Sequence, residues 1–123
     1  MYCFPQPTAG AKFFENKKLY ATLAEYPITK GHVVVVWKKH VKDLGRLNEK
    51  DYDCLMETVN KIRNAMMKVL GVDKIYLIYM DETEHVHWHL VPRYNQKGFN
   101  MLAHKPGRLK NVGLARKLEK ELP

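Results

Sequence analysis

The segment His85-Val86-His87-Trp88-His89-Leu90-Val91-Pro92-Arg93 decides the reading of this chain. Histidine and apolar residues alternate through it, and a period of two belongs to a β-strand. On such a strand His85, His87 and His89 project from one face. Val86, Trp88 and Leu90 project from the other and anchor the strand to a core. Same-face neighbours on a strand are ~7 Å apart, so the central imidazole can meet one atom of a ligand while the outer two hydrogen-bond around it.

Working outward, Ile75 to Met80 is a β-branched and aromatic run, hence another strand, joined to the histidines by the acidic link Asp81-Glu82-Thr83-Glu84. Before it, Tyr52, Leu55, Met56, Val59, Ile62, Met66 and Val69 recur at helical spacing. Asn48 is a good N-cap, Glu49, Asp51 and Asp53 put negative charge where the helix dipole favours it, and Gly71 sits where a C-cap glycine belongs. The spacing predicts one long helix from Glu49 to Leu70. Its methionine-containing stripe reads as core.

Further upstream, four consecutive valines in His32 to Trp37 favour a strand apolar on both faces, in the middle of a sheet. Phe13 to Glu15 and Lys18 to Leu23 read as two short strands turning at Asn16-Lys17. Residues 1–12, with Pro5, Pro7 and Gly10, read as an irregular arm. Downstream, Leu109, Val112, Leu114, Leu118 and Leu122 suit a short C-terminal helix, with Gly113 arguing against it. Five strands and two helices in 123 residues, without repeat or linker, read as one domain over 1–123.

Composition bounds the function loosely. Hydrophobic residues make up 46% and charged residues 28%, an ordinary globular balance. The longest apolar run, Val33 to Trp37, is too short to cross a bilayer, so no membrane partner is expected. Met1 to Pro5 has neither the basic nor the extended apolar region of a signal peptide, and the cytoplasm is the expected compartment. There Cys3 and Cys54 are most simply free thiols. The net charge of +8 suits an anionic ligand and leaves nucleic acid open as a partner.

Three readings of the histidines compete. Imidazoles on a strand can chelate zinc, copper or iron, with His32 or His40 as further ligands. They can be satisfied polar groups beside solvent, a reading that suits one histidine better than three in register. They can also act as nucleophile and hydrogen-bond or proton donors.

Three alternating histidines followed by apolar-apolar-Pro-Arg resemble the signature of the histidine-triad (HIT) superfamily. A second block, Pro27-Ile28-Thr29-Lys30-Gly31-His32 with the valine strand and Lys38-Lys39-His40, resembles that family's Pro–x–x–x–Gly-His strand and its extension. The resemblance spans roughly residues 13 to 93 and implies a homodimeric α+β fold around an antiparallel sheet. It implies a nucleotide hydrolase releasing a nucleoside monophosphate, with a transferase or phosphorylase, or a nucleotide-binding module with little turnover, as alternatives. On matching positions His87 is the nucleophile, His89 bonds the phosphate or bridging oxygen, His85 orients His87, and His32 supports the site from the neighbouring strand. No cofactor is implied.

The sequence departs from the family in three places. Ala24 stands where many members place an Asp or Asn for the ribose hydroxyls, so Glu25 substitutes only with a one-residue shift of the loop, and Leu23 and Ile28 are base-pocket walls or ordinary core. Before the triad, where the family has a glycine-containing loop, Thr83 is the hydroxyl available among acids that repel a polyphosphate. An amine leaving group, as in a nucleoside phosphoramidate, suits that loop at least as well as a dinucleoside polyphosphate. Cys3 lacks the paired cysteine of zinc-binding members, so no metal is expected. Lys97, Lys105 and Arg108 fall in the region that forms part of the substrate entrance in this family, while His40, His104 and Arg93 read as surface or ion-pair residues.

Overall fold

The four valines form the centre of the molecule. In the computed structural model, which describes residues 4–80, 82–94 and 105–122, strand β3 (Val33–Trp37) is buried along its whole length. It pairs antiparallel with β2 (Leu19–Leu23) on one side and with β5 (His87–Pro92) on the other. Strand β1 (Lys12–Glu15) follows β2 and strand β4 (Ile75–Tyr79) follows β5, giving an antiparallel sheet in the order β1-β2-β3-β5-β4. The α+β fold with five antiparallel strands is the one expected.

Helix α1 runs Glu49–Leu70 within the expected bounds. Asn48 accepts a side-chain hydrogen bond from the Asp51 N–H, and Gly71 closes the helix in the left-handed conformation. Its Leu55, Val59, Ile62 and Met66 pack on Leu19, Ala21, Leu23, Val33, Val35 and Leu90 of the sheet. Truncating one such buried leucine or isoleucine typically costs about 2–5 kcal/mol. Helix α2 (Gly113–Glu121) adds Ala115 and Leu118 to that core. Gly113 is the first residue of α2, and Asn111 Oδ1 accepts its N–H at 2.7 Å. A glycine there costs far less than in a helix interior. Among the described residues, no helix is long and apolar enough to cross a membrane.

The register assigns each strand residue to a face, because directly paired residues share one. Leu23, Val33 and Leu90 pair across the helix-covered face. Thr22, Val34 and His89 pair across the other, as do Tyr20, Val36 and His87. The strand ends differ from expectation at the histidines: β5 begins at His87, and His85 lies in the bend before it. Glu84 has φ 52°, which breaks the extended path immediately upstream.

Candidate functional site

Two links hold the histidines. His87 Nδ1 lies 2.7 Å from the carbonyl oxygen of His85. A carbonyl only accepts, so Nδ1 carries the proton and the neutral ring keeps its lone pair on Nε2. The bend before β5 is what makes this possible, because it turns the His85 carbonyl toward a ring two residues ahead. The His85 ring reaches the other way, with Nε2 2.5 Å from the carbonyl oxygen of Trp37 on β3. His85 Nδ1 is buried and has no hydrogen-bond partner among the described residues.

The second link is ring to ring. The Ile28 N–H donates to His32 Nδ1 at 3.0 Å, and His32 Nε2 lies 2.9 Å from His89 Nδ1. With His32 Nδ1 accepting, the neutral ring's proton is on Nε2 and is donated to His89. The proton of His89 is therefore on Nε2. Both rings are held neutral. Burial, then the neighbouring His89, lowers the pKa of His32 to about 3. Burial, then His87, lowers that of His89 to about 4.

The rings of His87 and His89 meet edge to face with centroids 5.0 Å apart, closer than the backbone spacing alone gives. His87 is only 4% exposed. One group over it is Phe4, from the N-terminal arm, whose ring centroid is 4.7 Å from that of His87 and 5.5 Å from that of His85. Phe4 packs with Tyr20 against Ala24, Val34 and Val36 on the histidine face. Sequence reading missed it. The available signal was a lone phenylalanine in a Pro- and Gly-rich arm, an apolar ring that needs a surface to cover.

His32, His85, His87 and His89 thus come together, while the expected substrate contacts do not form one group. Leu23 lies in the core on the helix-covered face, and the β2 residues in register with the histidines are Tyr20 and Thr22. The Glu25 side chain is exposed, and its carbonyl accepts from the Leu109 N–H at 2.7 Å. Ile28 is half-buried and contributes its backbone N–H to His32. Thr83 is exposed in the turn before the bend. Arg93 reaches Asp73 at 3.6 Å, and Trp88 packs on Tyr79 with centroids 5.1 Å apart. His40 is exposed, its ring 5.8 Å from that of His85. Cys3, Lys97 and His104 lie outside the described residues, among which no group of three or more His, Cys, Asp or Glu side chains is placed to hold a metal.

The Gly-His pair has a steric reason. Gly31 has φ 87°, and a Cβ there would sit 2.9 Å from Leu70 Cδ1 and 3.3 Å from Leu114 Cδ2. The positive φ strains any other side chain there, and Leu70 and Leu114 would also have to give way to it. The turn it makes delivers His32 to the start of β3.

A five-stranded antiparallel sheet backed by one long helix, with paired imidazoles on its other face, defines the class of protein. The HIT domain model matches residues 7–96, and the chain belongs to that family. It is 32% identical to an uncharacterised HIT-like protein of Methanocaldococcus jannaschii over 82% of this chain and 80% of the relative. A histidine triad protein of Sinorhizobium meliloti has a similar fold, with TM-score 0.79, 16% identity, and 91% and 89% of the two chains covered. So has Plasmodium falciparum diadenosine triphosphate hydrolase, solved with cyclomarin A, at TM-score 0.76, 15% identity, and coverage of 98% and 81%.

Proposed function

We propose that the protein is a nucleotidyl hydrolase in which His87 Nε2 attacks the α-phosphorus of a nucleoside phosphoramidate or dinucleoside polyphosphate. The observation that carries this reading is the hydrogen bond from His87 Nδ1 to the His85 carbonyl, which fixes the nucleophilic tautomer. A neutral imidazole is a competent nucleophile near pH 7.

In the first step the Nε2–phosphorus bond forms and the bond to the leaving group breaks. The leaving group takes the bonding pair and a proton from solvent water. His87 then carries a nucleotidyl group and a positive charge, which the His85 carbonyl stabilises through Nδ1–H. His89 presents Nε2–H to a phosphate or bridging oxygen, and His32 keeps that proton in place from behind. Water attacks the same phosphorus in the second step, losing a proton that balances the one the leaving group took. The nucleoside monophosphate departs and His87 is restored.

The exposed acids Glu82 and Glu84 before the bend favour an amine over a polyphosphate as leaving group. Homodimerisation and a cytoplasmic location belong to the same reading. In support of the former, β4 is the last strand of the sheet and carries the exposed Leu77, with Met80 exposed just beyond it.

The test is nucleoside monophosphate release from adenosine and guanosine phosphoramidates, dinucleoside polyphosphates and adenylated DNA, with chelator present, for wild type and His87→Asn. Turnover that is lost in the variant supports the reading, and the best substrate assigns the leaving group. Nucleotide binding without turnover on any of them overturns it.

A further inference from the structure

A cleft of about 550 Å³ lies behind His32, between the β2–β3 loop, the C-terminal end of α1 and the segment leading into α2. This size falls in the range of ligand sites, roughly 300–1,000 Å³. His32 lines it, whereas His85, His87 and His89 do not. Its walls are apolar, with Leu23, Val69, Leu70, Leu109 and Leu114, and the Tyr94 side contributes an aromatic residue.

The charge around it is one-sided. Lys30, Arg108, Lys110 and Lys117 line the cleft, and among the described residues no Asp or Glu does. All four are exposed, and none forms an ion pair among the described residues. Two cations beside the cleft are matched: Arg116, next to Lys117, meets Glu119, and Lys68, one residue before Val69, meets Glu121. Four like charges gathered around an apolar hollow repel one another, and low-dielectric walls concentrate their field on whatever enters. An anion relieves that repulsion, and an apolar body on the anion covers the walls. His32 adds no charge, because burial and His89 keep it neutral.

The segment that carries Arg108 and Lys110 is fixed for this role. Its Gly107 and Leu109 N–H groups donate to the Pro27 and Glu25 carbonyls at 3.1 and 2.7 Å. Tyr94 donates to the Lys30 carbonyl at 2.5 Å. The cations therefore stand on backbone that is tied to the loop feeding His32.

We propose that this cleft is a second binding site, for an organic phosphate whose apolar or aromatic body lies against Leu70 and Leu114 and whose phosphate is held by Lys30, Arg108, Lys110 and Lys117. It is distinct from the triad and stands whether or not His87 is a nucleophile. An occupant would lie against the back of the His32–His89 link, so binding there and nucleotide binding at the triad would be coupled in both directions.

The test is a titration of the isotopically labelled protein with 1-naphthyl phosphate, read by amide chemical shifts, with inorganic phosphate in parallel. The expected result is saturable shifts at Gly31, Leu109, Gly113 and Leu114, unchanged in His87→Asn. Affinity should fall at least tenfold in Lys110→Glu/Lys117→Glu and by less in the milder Lys110→Gln/Lys117→Gln. Shifts confined to β5 would place the ligand at the triad and overturn the proposal. Cleft shifts equally strong with inorganic phosphate, or unaffected by both double variants, would reduce it to a diffuse counterion effect and also overturn it.

Discussion

The two histidine links are built from different materials. His87 is oriented by a carbonyl of the bend that leads into its own strand, two residues back, whereas His89 is oriented by a ring from the turn before β3, 57 residues away in sequence. The first link survives any side chain at position 85 that leaves the bend intact. The second exists only while the Gly31 turn holds His32 and the sheet register pairs Val34 with His89. Local backbone therefore sets the tautomer of His87, and tertiary structure sets that of His89.

The largest effect should come from His87 itself. His87→Asn removes the attacking nitrogen, and kcat should fall by roughly a thousandfold or more while nucleotide still binds. Next is the tertiary link. His32→Ala leaves the Ile28 N–H without its acceptor and His89 Nδ1 without its donor. An unpaired buried group costs about 1–3 kcal/mol. The equivalent loss in kcat is roughly five- to 150-fold, measured by steady-state kinetics beside a denaturant melt.

His85→Ala should cost less in turnover than His32→Ala, because the carbonyl that meets His87 remains. An equal or larger loss would show that the ring of His85, not its backbone, sets the site. Phe4→Ala should change KM or kcat by about two- to tenfold, since an aromatic contact is worth about 0.5–1.5 kcal/mol. Its kinetics report whether the arm covers or assists His87.

Acid separates the two links in another way. His32 and His89 have folded pKa values of about 3 and about 4, both depressed from 6.5. As pH falls below 6.5 the unfolded chain takes up protons at these positions that the folded protein refuses. Their contribution to stability is complete above pH 6.5 and is lost as pH falls toward 3. Urea midpoints at pH 7 and pH 4.5 should show this drop, and it should be smaller in His32→Ala.

What was legible in the sequence follows the same division. Periodicity located α1 to the residue, because Asn48, the apolar stripe and Gly71 all act locally. It located five strands because β-branched runs and the alternating histidines do too. Local pattern misjudged His85, since a bend set by Glu84 interrupts an alternation that the sequence continues. It left Leu23 as either a base-pocket wall or core, and only the pairing of β2 with β3 decides that Tyr20 and Thr22, not Leu23, face the histidines. Phe4 was illegible for the converse reason: only the folded sheet shows which surface an irregular arm crosses. The four cations of the cleft come from a loop, a C-terminal segment and a helix, and no window of sequence brings them together.

The central claim is a covalent bond between His87 and the nucleotide. Rapid acid-free quenching of the protein with adenosine phosphoramidate, followed by intact-mass and peptide analysis, tests it directly. An acid-labile adduct with the mass of an adenylyl group on His87, absent in His87→Asn, is the predicted result. Turnover proceeding at full rate in His87→Asn, with no adduct on any histidine, would contradict it.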